Sequence, residues 1–297
     1  MEEVEFTREE ELERYRKAGK ILAEVRIEAV KKVQAGASIL ETANFIENLI
    51  KEKGAFPAFP CNISRNEEAA HATPAKNDTA CFKQGDLVKL DIGVHIDGYI
   101  ADTAITVDLG DNKELVKAAE AGLASAIKII RAGVSTSEIG ETIEKAINEF
   151  GYKPIVNLTG HGLMRYHQHA PPQIPNRRIE KGVILKANDV IALEPFATNG
   201  IGRVVEGTSI EIYSFVAAKP VRLPQARQVL KEIEPYKTLP FAKRWLNTPR
   251  LDMALRQLEV VGAIRSYPVL REESSGLVSQ AEHTLIVTED GCEIITL

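Results

Sequence analysis

LVKLDIGVHIDGYIADTAITV, residues 87–107, is the stretch around which the rest of the chain is organised. Two β-rich runs meet there at Asp97-Gly98, a dipeptide that strongly signals a two-residue hairpin turn. Such a turn predicts that Ile96 faces Tyr99, Gly93 faces Asp102 and Asp91 faces Ala104. Facing residues share a sheet face, and so do residues two apart. Asp91 and Asp102 are therefore diagonal neighbours on one face, roughly 7–8 Å apart at the backbone. The other face of the first run, Val88, Leu90, Ile92, Val94 and Ile96, needs a core. Two carboxylates on a sheet interior repel each other unless a basic side chain or a metal lies between them. Solvated strand aspartates are the plainer alternative, and this stretch alone leaves both open.

A longer pattern occurs twice. Residues 33–57 (VQAGASILETANFIENLIKEKGAFP) align without gaps on 130–154 (IRAGVSTSEIGETIEKAINEFGYKP), with ten of 25 positions identical. The identities include Gly36/Gly133, Ser38/Ser135, Glu41/Glu138, Gly54/Gly151 and Pro57/Pro154. Cap, helix face and terminating glycine all recur, so a supersecondary unit recurs. Beyond it, KQGDLVKLD, ending at Asp91, lines up with KANDVIALE, ending at Glu194. Asp91 and Glu194 thus hold matching places in two halves of a duplicated fold. That match favours one shared central site, which solvated aspartates would not predict.

The remaining elements fit around this frame. Thr7 with Glu10 forms a capping box, which predicts a long amphipathic helix to about Val33. Ser38 with Glu41 opens a second helix, ended by Gly54. Residues 56–78, rich in Pro, Asn and Asp, read as strand and loop and contain His71. TGHGLMRYHQHAPPQIPN, residues 159–176, carries three of the six histidines: His161, His167 and His169. Residues 203–210 read as strand. Three helical patterns follow, near 224–236, 239–247 and 249–261, separated by prolines. They mark 214–271 as an expected helical insertion within one domain spanning 1–297. A β-rich tail closes the chain.

Composition excludes several classes. Of 297 residues, 44% are hydrophobic and 27% charged, as in ordinary globular proteins. A net charge of −5 advertises no nucleic-acid partner. The acidic start MEEVEFTREEELERYRKAG has no apolar signal-peptide core. No run of about 18 apolar residues exists to span a membrane. The three cysteines, Cys61, Cys81 and Cys292, form no CxxC pair and read as free thiols of a reducing, cytoplasmic compartment.

Asp91, Asp102, His161, Glu194 and Glu282 stand out as candidate ligands on separate strands. Four carboxylates and one imidazole suit two divalent ions, with Mn²⁺, Fe²⁺, Co²⁺ and Zn²⁺ all admissible. Singly, each has an ordinary explanation: Glu282 as a surface strand residue, His161 as a loop filler between glycines. Their joint placement on the repeat carries the argument. His95, beside the turn, and His283, pointing away from Glu282 by strand alternation, read as structural. His167 stays open, and Cys61 reads as a buried small apolar residue.

The motifs PAFPCNIS, EAAHATP, KLDIGVHIDGYIADTA, NLTGHGLMRYHQHA, ALEPFAT and AEHT, in order along almost the whole chain, resemble those of type 2 methionine aminopeptidases of the archaeal kind. The resemblance implies an α+β class, the duplicated pita-bread fold, with pseudo-twofold halves. It implies that Asp91 chelates one of two metals, Asp102 and Glu282 bridge both, and His161 and Glu194 complete the second. His71 and His169 correspond to two histidines that touch substrate, and Glu194 to the proton shuttle. Phe59 and Tyr267 sit where the family lines its methionine pocket. The family usually has Phe before the last glutamate, where this chain has Ala281. The implied activity is removal of the initiator methionine from nascent polypeptides when the second residue is small. A transient ribosome contact and a monomeric state go with it. Two alternatives share the fold: a dinuclear peptidase acting before proline, and a binding protein without enzymatic activity. The first usually carries a large extra N-terminal domain, for which this chain has no room. The second is disfavoured by the complete ligand set.

Overall fold

The computed structural model describes residues 5–297; the first four residues of the acidic start lie outside the described residues. Among the described residues the chain forms six α-helices. α1 spans Arg8–Val30 and α2 spans Ile39–Glu52. The expected capping box is formed: Thr7 N donates to Glu10 Oε2 at 2.8 Å, and Glu10 N donates to Thr7 Oγ1 at 3.4 Å. Leu12, Tyr15, Leu22, Val25 and Ala29 recur at helical spacing on α1 and enter one core with Ile92, Val94 and Ile100 of the hairpin. Each large aliphatic side chain fully buried in this way contributes about 1.5–3 kcal/mol.

The hairpin strands Leu87–Ile96 and Tyr99–Asp108 pair in the predicted register, with Ile96 opposite Tyr99, Gly93 opposite Asp102 and Asp91 opposite Ala104. Asp97 and Gly98 have φ of 52° and 89°, as a left-handed two-residue turn requires. Strand Asn62–Arg65 flanks the hairpin and sets Asn62 opposite Asp91.

The second half repeats the first at the level of individual bonds. α3 spans Lys113–Ile127 and α4 spans Thr136–Glu149. Gly36 N donates to Phe82 O at 2.8 Å, and Gly133 N to Leu185 O at 2.9 Å. Lys83 N donates to Asp86 Oδ2 and Lys186 N to Asp189 Oδ2, each at 2.8 Å. Gly85 and Asn188 take the same left-handed turn position, with φ of 93° and 69°. Strand Val190–Leu193 pairs with His283–Val287 over a second core built on α3 and α4. The chain thus adopts the α+β pita-bread arrangement: two similar halves, helices outside, strands meeting at a central seam.

Threonines stitch that seam. Asp102 N donates to Thr284 Oγ1 at 2.7 Å, and this hydroxyl donates to Asp102 O at 2.8 Å. Thr103 Oγ1 donates to Glu282 O at 2.7 Å, and Glu282 N donates to Ala104 O at 3.0 Å. The strand of Asp102 is thereby locked to the segment of Glu282.

The 214–271 stretch differs in part from the helical expectation. α5 (Pro224–Ile233) and α6 (Leu251–Val260) form, and share a core with Phe241, Leu246 and Ile264. Residues 239–247 are not a helix: Phe241–Ala242 is a strand and Lys243–Trp245 a 3₁₀ turn. Phe241 and Ala242 are fully buried, and pairing with Tyr213 and Ile212 satisfies their backbone in a ladder. The strand expected at 203–210 continues from Val204 to Phe215 and pairs with Ile264–Glu272, a strand within the stretch expected to be helical. Pro268, which hides a strand from sequence reading, sits opposite Ile210 at a register shift where no ladder donor is needed.

Candidate metal centre

Each half delivers its carboxylate to the same place. Asp91 comes from the first hairpin strand, Asp102 from the second, Glu194 follows strand Val190–Leu193, and Glu282 precedes strand His283–Val287. His161 lies on strand Thr159–Met164, paired with Ala192. All five line one cavity of about 490 Å³, together with His71 and His169. Asp102, His161 and Glu282 each bring one ligand atom to within 4.8 Å of the others. His161 Nε2 lies 3.5 Å from Glu194 Oε1 and 4.0 Å from Asp102 Oδ2.

The electrostatics of this cluster call for a cation. Among the described residues no Lys or Arg pairs with any of the four carboxylates. Asp91 Oδ1, Asp102 Oδ1 and Glu282 Oε2 are buried without a hydrogen-bond partner. Burial pushes the Asp91 carboxyl up to about 6. Asp102 and Glu282 are pushed well above the carboxylate range by burial first and by neighbouring carboxylates second. Glu194 follows, through burial and then Asp91. Unpaired buried carboxylates are costly unless neutralised. Hard oxygen donors with one imidazole fit divalent transition ions.

His161 is set up as a neutral donor to such an ion. Its Nδ1 lies 3.2 Å from Gly162 O, which can only accept, so the proton sits on Nδ1 and Nε2 keeps its lone pair. Burial lowers its pKa to about 4. Amide side chains support the carboxylates from outside. Asn62 Nδ2 donates to Asp91 Oδ2 and Gln280 Nε2 to Glu194 Oε2, each at 3.4 Å. Sequence reading missed Asn62, Gln280 and the cavity-lining Gln168. The placement of Asn62 depends on the non-local pairing of its strand with the hairpin, which no local pattern reveals.

The predicted substrate residues divide. His71 holds a left-handed φ of 64°, a backbone cost of about 1–3 kcal/mol for a non-glycine residue. Its Nδ1 donates to Pro268 O at 3.2 Å, and burial lowers its pKa to about 4, so Nε2 is free to accept. His169 is exposed to the cavity, with its ring centroid 4.7 Å from that of His161. The protein walls and the neighbouring His161, His71 and Arg265 hold it well below the ordinary histidine range. Tyr267 lies 5.5 Å from His71 and 6.5 Å from His169, ring to ring. It lines a second cavity of about 410 Å³, the mouth of the first, together with His71 and His169. His167 also lies in that mouth rather than in the metal cluster. Phe59 is not on the cavity wall. Its ring packs over Gly93, where a Cβ would lie 2.1 Å from it, so only glycine fits opposite Asp102. His95 accepts from Gly98 N at 3.1 Å and His283 bonds Thr296 at 2.8 Å, both outside the cluster. Cys61 is buried at 1% exposure.

Residues 13–289 match the profile of Metallopeptidase family M24. A methionine aminopeptidase of Archaeoglobus fulgidus is 59% identical over 280 residues, covering 94% of this chain and 96% of that protein. The structure of a thermophilic Arx1 is similar in fold, with a TM-score of 0.87 at 18% identity over 96% of this chain and 90% of that one. A methionine aminopeptidase from Thermotoga maritima superposes with a TM-score of 0.72 at 25% identity, covering 97% of this chain and 96% of that one.

Proposed function

This chain belongs to metallopeptidase family M24, and on that premise we propose that it removes N-terminal methionine from polypeptides whose second residue is small. It is a metal-dependent aminopeptidase. The reading is carried by four carboxylates, Asp102 and Glu282 buried and Asp91 and Glu194 half-buried, that converge without a cationic partner on a cavity flanked by His71 and His169. The methionine aminopeptidase named among its relatives supports the substrate.

Asp91 would hold one divalent ion, Asp102 and Glu282 would bridge two, and His161 with Glu194 would complete the second. Cobalt, manganese, iron or zinc, bound there, would supply a water-derived nucleophile near neutral pH and a Lewis acid for the methionyl carbonyl. His169, neutral at pH 7, has one N–H to donate to the carbonyl oxygen as charge develops on it. His71, whose Nδ1 is engaged by Pro268, accepts the scissile amide N–H on Nε2. Glu194 is the proton carrier: its burial beside Asp91 favours holding a proton taken from the attacking water until the leaving amine needs it. Tyr267, at the mouth, bounds the space for the unbranched side chain. The substrates are nascent chains in the cytoplasm, met by a monomer with at most a transient ribosome contact. Among the described residues no helix is long and apolar enough to cross a membrane.

The test uses protein stripped of metal and reloaded separately with each ion. Free methionine should be released from Met-Gly, Met-Ala, Met-Ser and Met-Val peptides, poorly from Met-Lys and Met-Phe, and no residue from Ala-Pro peptides. Equal kcat/KM across the methionine series would overturn the size rule. Cleavage of Ala-Pro in preference to Met-Ala would overturn the methionine reading.

A further inference from the structure

Phe56 is 61% exposed, a large apolar ring left on the surface just after α2. It belongs to a groove of about 590 Å³ lined by Lys51, His95, Tyr166, Tyr236 and Trp245 among others. The rings organise one another. Phe56 stacks on His95 at 5.7 Å, His95 meets Tyr166 edge-on at 5.8 Å, and Tyr236 leans on Trp245 at 5.3 Å. Pro57 and Pro235 complete the apolar wall, and no carboxylate is among the lining residues. Lys51 is the charged lining residue, and Lys237 Nζ sits 3.9 Å above the Tyr166 ring. Contiguous apolar surface of this kind marks a binding site.

The groove shares a wall with the catalytic mouth. Tyr166 lines the groove and His167 the mouth; Tyr236 lines the groove and Thr238 the mouth. The Thr238 hydroxyl donates to the Tyr166 carbonyl, closing a ridge between the two cavities. A chain leaving the mouth over this ridge enters the groove. We infer that the groove binds the downstream segment of the polypeptide whose N-terminus occupies the metal site, an inference that rests on the function proposed above. The wall chemistry specifies the segment. Aromatic faces suit proline and other apolar residues in extended conformation. The Trp245 indole N–H is already given to Glu47 Oε2 at 2.8 Å, so the ring offers its face rather than a hydrogen bond. Lys51 and Lys237 suit acidic side chains in the same segment. An extended peptide of about 12 residues spans roughly 40 Å, beyond the domain's radius of gyration of about 19 Å, so its tail has the reach.

The experiment compares Met-Ala-Ser with peptides of about 12 residues that begin Met-Ala-Ser, using metal-loaded full-length protein. One tail carries Pro and Glu, the other Lys and Ser. The Pro/Glu tail should lower KM about three- to tenfold relative to the tripeptide, and the Lys/Ser tail should not. Phe56→Ser and Lys237→Glu should each remove that gain while leaving tripeptide kinetics unchanged. Trp245 is the single tryptophan of the chain, so its emission should shift on binding of the Pro/Glu peptide. Tail-independent KM values would overturn the inference, as would variants that alter tripeptide and long peptide alike. Trp245 emission that responds to AMP and to neither peptide would assign the groove to a nucleotide and overturn it too. Failure of the wild-type protein to cleave the tripeptide would instead mark failure of the proposed function. The Trp245 titration reports on the groove in either case.

Discussion

Glu272 and Glu282 lie ten residues apart and are equally buried, each 2% exposed. Their surroundings are opposite. Glu272 Oε1 accepts from Ile201 N at 2.6 Å and Gly202 N at 3.1 Å. Its Oε2 accepts from Ser274 N and Oγ, each at 2.7 Å, and from Gly276 N at 2.9 Å. Burial pushes the Glu272 carboxyl up, but these bonds together outweigh it and hold the group below its ordinary value. Glu282 has an oxygen with no partner, and burial with Asp102, Glu194 and Asp91 drives it the other way. Burial therefore does not mark a site. A buried carboxylate left without donors does, because folding would not retain it for stability. Glu47 falls on the structural side with Glu272: it pairs with Arg244 and accepts from Trp245 and Cys61, tying α2 to the turn Lys243–Trp245.

The strongest way to break this contrast is at the metal cluster. Asp102→Asn keeps the shape and removes one charge. Turnover on Met-Ala-Ser should fall by at least about 10³-fold, near 4 kcal/mol of transition-state stabilisation. Metal content should fall with it. Two tightly bound ions and near wild-type turnover in this variant would sink the dinuclear assignment.

Next in size is His169, which lies beside the cluster without belonging to it. His169→Ala should lower kcat by about 10²–10³-fold with both metals retained, since one donor to developing oxyanion charge is lost. The loss should fall on kcat more than KM. A lost metal would make His169 a ligand, and an unchanged kcat a bystander.

Glu272 should respond in stability alone. Glu272→Ala strands the donors of residues 201, 202, 274 and 276, at a cost of about 3 kcal/mol or more. Denaturant unfolding should show the loss, while kcat per folded molecule stays at the wild-type level. A variant of unchanged midpoint would mean that those donors find water, and the contrast with Glu282 would collapse.

The smallest effect is in pH. Glu272 is more acidic folded than unfolded, so its contribution is present above about 4.5, the ordinary glutamate value, and is lost as pH falls below it. In metal-free protein the cluster acts in reverse. Asp91 rises from 3.8 to about 6 on folding, so the native state keeps a proton that the unfolded state has released. Metal-free stability should therefore fall as pH rises from about 4 through 6, and metal loading should abolish that slope. Melting curves across this range, with and without metal, measure both limbs. A metal-free protein whose stability rises through the same window would contradict the assigned surroundings of the cluster.

The legible part of the molecule was local or repeated. Asp97-Gly98 set the hairpin register, and with it the shared face of Asp91 and Asp102. The repeat placed Glu194 opposite Asp91 in the other half, because caps and turn glycines leave a trace in sequence. What escaped depends on pairing between distant segments. Asn62 supports Asp91 only because its strand joins the hairpin. Phe241–Ala242 looked helical because its burial against Tyr213 is non-local. Ile264–Glu272 was obscured by Pro268, whose missing donor is tolerated only at that register shift. Thr103 and Thr284 look like ordinary strand residues until the seam brings them together.

Calorimetric titration of Mn²⁺ into metal-free protein shows whether the unsatisfied carboxylates hold metal. Two ions per chain should bind, with proton release that diminishes as pH rises; Glu272→Gln should also bind two, and Asp102→Asn fewer. A wild-type protein that binds no ion, or an Asp102→Asn variant with the wild-type isotherm, would contradict that role.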